Sequence, residues 1–150
     1  MRPPDLILEP LVGTEQITSL EADAKADGRV MVTRLIAEWV GGENRFALPG
    51  ERAYVARIGS RICAVGGLNR DPYAQDTAIG RVRRLYVSVR DRRNGIGTAL
   101  VDKLLSDARG VYSWAHLRTH DPQAASFYEA IGFEPVYGNA ECTHRRAVVA

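Results

Sequence analysis

One junction between a strand-like run and an amphipathic helix constrains the fold more than any other feature of the chain. The segment 92–98 reads Arg-Arg-Asn-Gly-Ile-Gly-Thr and stands between the apolar run Leu85–Val89 and a helix predicted to start near Ile96. Two glycines allow a close turn that presents several N–H groups in one direction, and the positive end of the helix dipole points the same way. The junction therefore predicts a binding site for a diphosphate or a similar anion.

The segment matches neither of the common phosphate-binding loops. A Walker loop requires a lysine after its last glycine, but Thr98 follows Gly97. A dinucleotide-binding loop requires a third glycine at the position that Leu100 occupies. The segment therefore belongs to another class of anion-binding loop, and the flanking sequence has to identify that class.

Length and composition indicate an ordinary globular protein. With 150 residues the chain can bury a proper core, so we predict a single domain over residues 1–150. A net charge of +2 is too small to indicate binding to nucleic acid or to a membrane surface. Two cysteines form no disulfide framework and the first residues resemble no signal peptide, so we expect a cytoplasmic protein with reduced thiols.

Hydrophobic periodicity predicts the order β-α-α-β-β-β-α-β-α-β-β, with a tight hairpin turn at Gly59 and Ser60 and a bulge or close approach at Gly66 and Gly67. This order implies a mixed sheet covered by helices, which is an α/β fold and α+β in some schemes. The predicted strands cover residues 6–8, 53–58, 61–67, 81–89, 114–119, 133–137 and 142–148, and the predicted helices cover 14–26, 29–40, 96–109 and 122–131.

Two motifs in this order resemble those of the GNAT superfamily of acetyl-CoA-dependent N-acyltransferases. The central motif of the family is a strand, then [Q/R]-x-x-G-x-[G/A], then a helix, and residues 92–97 match it. A second signature, roughly N-x-x-A-x-x-F-Y-E-x-x-G-F, corresponds to residues 121–133. The resemblance covers residues 53–148 well and implies a mixed central sheet with helices on both faces. The N-terminal third, which usually shapes the acceptor site in this family, matches only in element order.

The resemblance implies an acetyl-CoA site at the strand end and the glycine loop. The diphosphate would bind the N–H groups of residues 92–98, and the pantetheine arm would pair with the backbone of Val87–Val89. The Val87 N–H would polarise the thioester carbonyl, although both valines could equally be ordinary strand core. The expected coenzyme contacts are Val87, Ser88, Val89, Arg92, Arg93, Asn94, Gly95, Ile96, Gly97, Thr98, Asp121 and Tyr128.

Tyr128 is the catalytic residue that the resemblance implies, as general acid for the departing thiolate. The alternative is a plain core residue beside Phe127 and Ile131. Protonation of a thiolate of pKa about 8.5 by a tyrosine of pKa about 10 is uphill by roughly 2 kcal/mol, so loss of the hydroxyl should slow turnover without abolishing it. Asp121 stands where the family usually has Asn; we expect it to cap its helix and to bring a negative charge near the coenzyme.

The base that takes the proton of the amine is not evident in the sequence. Many family members carry a glutamate on the strand before the glycine loop, but this strand carries Arg81, Arg83 and Arg84 and no acid. An alkylamine of pKa about 10.4 is almost entirely protonated near neutral pH, so a base has to accept its proton before the amine can attack. The alternatives are His116, His120, Glu38, Glu43 and water.

The strand and the loop are rich in arginine, since six of the 13 residues from 81 to 93 are arginine. Strand alternation would put Arg81 and Arg83 on one side and Arg84 on the other. If one side lines the cleft, the acceptor would carry a carboxylate or a phosphate near its amine. Alternatively, the arginines form a solvated stripe that pairs with acids such as Asp71 and Asp76. Trp39 and Phe46 are predicted either to wall the acceptor pocket or to pack on the sheet.

The leading interpretation is an acetyl-CoA-dependent N-acetyltransferase that acts on a small amine by direct attack. An amine on a protein or on aminoacyl-tRNA is an alternative acceptor, and the acceptor itself is not readable from the sequence. A catalytically degenerate coenzyme A-binding regulatory domain is the second hypothesis, and a pure anion-binding regulator is the third. No Cys/His cluster has metal-ligand spacing, so no metal is expected, nor is a membrane partner; the final strands could pair in a homodimer.

Overall fold

The alternating apolar residues of the predicted strands build one mixed sheet. The computed structural model describes residues 2–149, in which seven strands follow the order β1-β2-β3-β4-β5-β7-β6. Neighbouring strands are antiparallel except β4 and β5, which are parallel. The strands are β1 (Leu6–Pro10), β2 (Arg52–Ile58), β3 (Arg61–Arg70), β4 (Ile79–Val87), β5 (Trp114–Leu117), β6 (Glu134–Pro135) and β7 (His144–Ala147).

Helices cover both faces of the sheet, and each face has its own buried core. Along β2, Val55 packs into one core with residues of the first two helices, while Ala56 packs into the other with residues of the last two. The predicted mixed sheet with helices on both faces is therefore confirmed. The helices are α1 (Thr18–Ala26), α2 (Met31–Gly41), α3 (Ile96–Asp107) and α4 (Pro122–Ala130).

The element order is as predicted, but several boundaries are wrong. The fourth strand runs from Ile79 to Val87 instead of 81–89, because the chain leaves the sheet in a 3-10 turn at Val89–Asp91. The third strand continues to Arg70, and the first predicted helix begins as a 3-10 turn over Thr14–Ile17. The last two strands are shorter than predicted, with two residues in β6 and four in β7. Of the predicted strand 133–137, only residues 134 and 135 pair with β7, and Pro135 has no N–H to donate.

A β-bulge interrupts the pairing of β3 with β4 next to the predicted glycine pair. Val65 pairs with Tyr86 and Gly67 with Arg83, so two residues of β4 oppose the single residue Gly66. The extra residue thus lies on β4 and not on the glycine strand, and Arg84 has a left-handed φ of 59° there. Bulges redirect the side chains that follow them, and they are common beside functional sites.

Gly67 is the close approach that the sequence predicted, and its neighbour is Phe46. A Cβ at Gly67 would lie 2.4 Å from Cε1 of the buried Phe46 ring. Gly67→Ala is therefore expected to lower the free energy of unfolding by roughly 1–3 kcal/mol through overpacking, as measured by urea denaturation. Gly41→Ala is the control, because its Cβ would meet only the exposed side chain of Glu43. Equal stability of both variants would contradict this packing.

Candidate functional site

Strands β4 and β5 separate partway along their length and leave a gap in the sheet. They pair only from Ile79 with Trp114 to Arg81 with His116, while β4 continues to Val87. The N–H of Ser88 donates to the carbonyl of Cys63 on β3. Since successive N–H groups of a strand point to opposite sides, the backbone groups of Val87 point away from β3 and into the gap.

Side chains contact the backbone groups at this strand end. The Arg92 Nε donates to the Val87 carbonyl oxygen at 3.1 Å, and the Val89 N–H donates to the Asp23 carboxylate at 3.3 Å. The Arg92 guanidinium also pairs with Asp27 at 2.6 Å, and the hydrogen bond from Arg92 is the largest cause of the lowered pKa of Asp27. An extended ligand that pairs with the backbone of β4 has to exchange these contacts for its own.

The glycine loop forms an array of free N–H groups at the start of α3. Arg93 and Gly95 have left-handed φ values of 66° and 73°, and no side chain caps the helix. Within residues 2–149, the N–H groups of residues 92–98 find no hydrogen-bond acceptor. Such an array at a helix N-terminus suits an oxyanion.

The residues of the loop divide into an exposed and a buried set. Arg93 and Asn94 are exposed at its tip, while Ile96 is fully buried in the core. Gly97 is buried against α4, since a Cβ there would lie 3.1 Å from the Phe127 ring. Thr98 is half-buried in the first turn of α3. The exposed tip is therefore carried by a rigid base.

Ser88 supports the loop from beneath. Its hydroxyl donates to the buried Asp91, which also pairs with Arg61. Burial opposes the charge of Asp91, but the hydrogen bonds from Arg61 and Ser88 outweigh it and hold the pKa of that carboxyl below its usual value. The hydroxyl and the N–H of Ser88 thus donate to Asp91 and Cys63, and its carbonyl oxygen accepts from the Asp91 N–H, so this residue fixes the geometry at the start of the loop.

Asp121 caps α4, as its sequence position predicts. Its carboxylate accepts a hydrogen bond from the Gln123 N–H at 3.0 Å. The same carboxylate pairs with Arg29, from the turn between α1 and α2, at 2.8 Å. The charge of Asp121 is therefore balanced within the protein, which the sequence alone did not indicate.

Tyr128 is buried between two other aromatic rings on α4 and just after it. Its ring centroid lies 5.0 Å from that of Phe127 and 5.3 Å from that of Phe133, both in edge-to-face geometry. Burial raises the pKa of Tyr128 well above its ordinary value, and no hydrogen bond or charge from residues 2–149 contributes to the shift. The hydroxyl therefore stays protonated at neutral pH and has its donor available.

An arginine-rich cleft of about 480 Å³ opens beside the gap, and Arg81, Arg83 and Arg84 all line it. The expectation that Arg84 would point to the other side is wrong, because the bulge at this residue breaks the alternation of β4. Phe46 does not wall this cleft but lies in the core against Gly67. The residues that line the cleft are Arg34, Tyr73, Arg81, Val82, Arg83, Arg84, Arg118, Thr119 and His120.

Of the side chains predicted as alternative bases, only His120 lines this cleft. Its Nε2 faces the Arg118 Nε at 3.2 Å. Glu38 forms a two-point ion pair with Arg84, at 2.8 and 3.0 Å; burial opposes its charge, but Arg84 keeps the pKa of this carboxyl below its usual value. Glu43 lines a neighbouring cavity, and His116 lies 3.5 Å from Asp71 at the last pair before the gap.

The half-buried His116 is expected to make the free energy of unfolding depend on pH. Burial lowers the pKa of His116, and the attraction of Asp71 only partly opposes this effect. The unfolded chain then binds a proton more readily than the folded one, so the free energy of unfolding should fall as the pH drops below about 6.5, by at most about 1.4 kcal/mol per unit. Urea denaturation between pH 7 and 5 measures this loss. His116→Gln should reduce it, and an unchanged slope in that variant would contradict the assignment.

Three charged residues near the strand end were not predicted from the sequence. Asp23, Asp27 and Arg29 belong to α1 and to the turn after it, and their partners lie more than 60 positions away along the chain. Over the described residues 2–149, no group of three His, Cys, Asp or Glu side chains could hold a metal ion. In the same range, no helix is both long and apolar enough to span a bilayer.

Comparison with known proteins identifies relatives of the chain. The family model for the acetyltransferase (GNAT) domain matches residues 49–135. A protein of Exiguobacterium sp. 255-15, whose name proposes acetyltransferase activity, is 28% identical over 95% of this chain and 93% of that one, with a TM-score of 0.83. None of the curated proteins matches the chain by sequence.

Two further structures share the fold at lower identity. One is a GNAT family acetyltransferase of Staphylococcus aureus Mu50, which is 15% identical over 96% of this chain and 99% of that one, with a TM-score of 0.74. The other is the Escherichia coli GNAT family N-acetyltransferase YhbS, solved in complex with CoA. It is 15% identical over 99% of this chain and 85% of that one, with a TM-score of 0.72.

Proposed function

The chain belongs to the GNAT family of acetyltransferases, and we propose that it transfers the acetyl group of acetyl-CoA directly to an amine of a small molecule that carries an anionic group. The observation that carries the donor half of this proposal is the array of free N–H groups at residues 92–98. The complex of the E. coli neighbour with CoA supports the same donor. We propose further that the chain acts as one domain in the cytoplasm, consistent with its two free cysteines.

The donor would bind across the loop and the gap. Its diphosphate would accept hydrogen bonds from the N–H groups of residues 92–98, with the exposed Arg93 beside it. Its pantetheine arm would follow β4 and replace the contacts that Arg92 and Asp23 make with the backbone of Val87 and Val89. Asn94, Gly95 and the first turn of α3 would complete the loop contacts.

In the transfer step, the amine nitrogen attacks the thioester carbonyl carbon and the carbon–sulfur bond breaks. The Val87 N–H, which points into the gap, would stabilise the negative charge that develops on the carbonyl oxygen. The Tyr128 hydroxyl would donate its proton or a hydrogen bond to the departing thiolate. Its raised pKa makes full proton transfer less favourable than for an ordinary tyrosine, so the hydrogen bond is the larger part of its role.

The amine has to lose a proton, and no lining residue of the arginine cleft is acidic. Several guanidinium groups around an ammonium ion disfavour its charged form and thus lower the pKa of the bound amine. Water in the cleft would then take the proton, with His120 as the titratable side chain on its wall. Glu38 is excluded from this role by its ion pair with Arg84.

The test is the release of free coenzyme A from acetyl-CoA in the presence of amino acids, polyamines, aminoglycosides, aminoalkyl phosphates and peptide N-termini. One amine class that raises the rate well above hydrolysis in water would establish the activity and identify the acceptor. The strand without an acid favours a second candidate, a coenzyme-binding domain that has lost catalysis. Tight coenzyme binding without stimulated release by any amine would support that candidate and count against the transferase.

A further inference from the structure

The cleft beside β4 is unusually rich in positive charge. Five of its nine lining residues are arginine and none is acidic. Arginine is always protonated in proteins, and its planar fork matches the geometry of a carboxylate or a phosphate. A cavity of about 480 Å³ with this lining is large enough for a compact small molecule.

Three of the five guanidinium groups lie within 4 Å of acids that do not themselves line the cleft. Arg81 lies 3.6 Å from Asp71 and also donates to the Glu141 carbonyl oxygen at 2.6 Å. Arg118 lies 3.7 Å from the Glu141 carboxylate. The third, Arg84, forms the two-point pair with Glu38.

The other two arginines that line the cleft are Arg83 and Arg34. Across the described residues 2–149, neither guanidinium has an acidic partner within 4 Å. The charges of both help to lower the pKa of the Glu38 carboxyl, but its oxygens are already paired with Arg84. One carboxylate therefore faces three guanidinium groups, and the cleft keeps an excess of positive charge.

The bulge explains why Arg83 contributes to this excess. With regular alternation, Arg83 and Arg84 would point to opposite faces of the sheet, and only one of them would reach the cleft. The left-handed residue Arg84 brings both side chains to the same wall. Burial and the neighbouring Arg84 and Arg81 lower the pKa of the Arg83 guanidinium, so its site disfavours a cation that has no anion beside it.

We propose that Arg83, with Arg34 of α2, binds a carboxylate or a phosphate of the acceptor, and that the acceptor is a compact amine carrying such a group. This inference rests on the proposed function and adds the residues that bind the anionic group of the acceptor. The anion would neutralise the excess charge, while the amine would extend from it toward the gap where the thioester is held. Arg81 and Arg84 would keep their ion pairs and shape the wall.

The test compares each anionic acceptor with a counterpart that keeps the amine but lacks the anionic charge. The carboxylate arm pairs amino acids with their amides, and the phosphate arm pairs 2-aminoethyl phosphate with ethanolamine. We expect kcat/KM to be at least tenfold higher for the anionic member of one arm, and Arg83→Gln to reduce this ratio at least tenfold, mainly through KM. Arg109→Gln, an exposed arginine at the far end of α3, should leave the ratio unchanged. Equal turnover of both members, or the same ratio in Arg83→Gln, would overturn the proposal.

A binding measurement keeps this result separate from the fate of the transferase. Inorganic phosphate is titrated into the protein saturated with coenzyme A, which fills the loop site, and binding is followed by calorimetry. We expect phosphate to bind and Arg83→Gln to weaken its affinity at least tenfold. If phosphate binds in this way but no amine is acetylated, the anion site stands and the proposed activity fails. If phosphate does not bind, or binds the variant equally, and the carboxylate arm also shows no dependence on Arg83, the anion site is refuted.

Discussion

Gly95→Val is expected to weaken coenzyme A binding at least tenfold, as measured by calorimetry. Gly95 has a left-handed φ of 73° at the start of α3, where a β-branched residue is strained by roughly 1–2 kcal/mol. The chain would relieve this strain by rotating toward negative φ, which turns the N–H groups of the loop away from their common direction. Because the proposed diphosphate site consists of these groups, the loss should appear in the affinity and not only in the stability.

The matched control is Gly110→Val, near the opposite end of the same helix. Gly110 also has a left-handed φ, of 79°, and no atom lies within 4 Å of its added Cβ. Both variants should lose a similar amount of unfolding free energy in urea, whereas only Gly95→Val should lose coenzyme affinity. A parallel loss of affinity in both variants would mean that binding follows general stability, and unchanged affinity in Gly95→Val would remove the loop from the coenzyme site.

Tyr128→Phe is expected to lower kcat on the order of 10²-fold, with little change in the KM for acetyl-CoA. The effect is placed at the low end for a general acid because burial raises the pKa of this hydroxyl and makes it a poor proton donor. The hydroxyl has no hydrogen-bond partner within the described part of the chain, so its removal should change the unfolding free energy little. Steady-state kinetics with the acceptor identified by the amine panel measures the effect.

Tyr112→Phe serves as the control for the loss of a buried hydroxyl. Tyr112 is 5% exposed and belongs to the same core as Tyr128, but it packs against Gly80 at the opposite end of β4 from the loop. Its kcat should equal that of the unmodified enzyme. A kcat in Tyr128→Phe as high as in Tyr112→Phe would leave Tyr128 as a core residue only.

The fold was predictable from the sequence because its signals are local. Apolar spacing in residues 96–109 marks α3, Asp121 and the proline after it mark the start of α4, and the glycine pair of β3 lies opposite the bulge in β4. The boundaries of β4 were not predictable in the same way. Whether the chain leaves the sheet at residue 87 or 89 depends on the hydrogen bonds of Ser88 with Cys63 and Asp91, and the first of these partners is distant in sequence.

The candidate site was predictable only on the donor side. The loop 92–98 and Tyr128 stand in contiguous motifs, and the family match agrees with the motifs that suggested them. The arginine cleft, which we propose as the acceptor site, depends on a bulge that reverses the expected direction of Arg84. It also depends on Glu38, which lies 46 positions earlier in the chain than Arg84. No sequence periodicity or motif spacing indicates such a long-range contact. The sequence therefore predicted an anionic acceptor only as one of two alternatives.

The sheet separates the two cores, so the glycine loop and the α2 side of the arginine cleft rest on different packing. The loop and Tyr128 are supported by the core under α3 and α4, while Arg34 and Glu38 stand on α2 above the other core. If the proposed acceptor site is correct, substitutions on α2 should alter the choice of acceptor while the packing under the glycine loop stays intact. Directed evolution toward a new amine should therefore begin on α2.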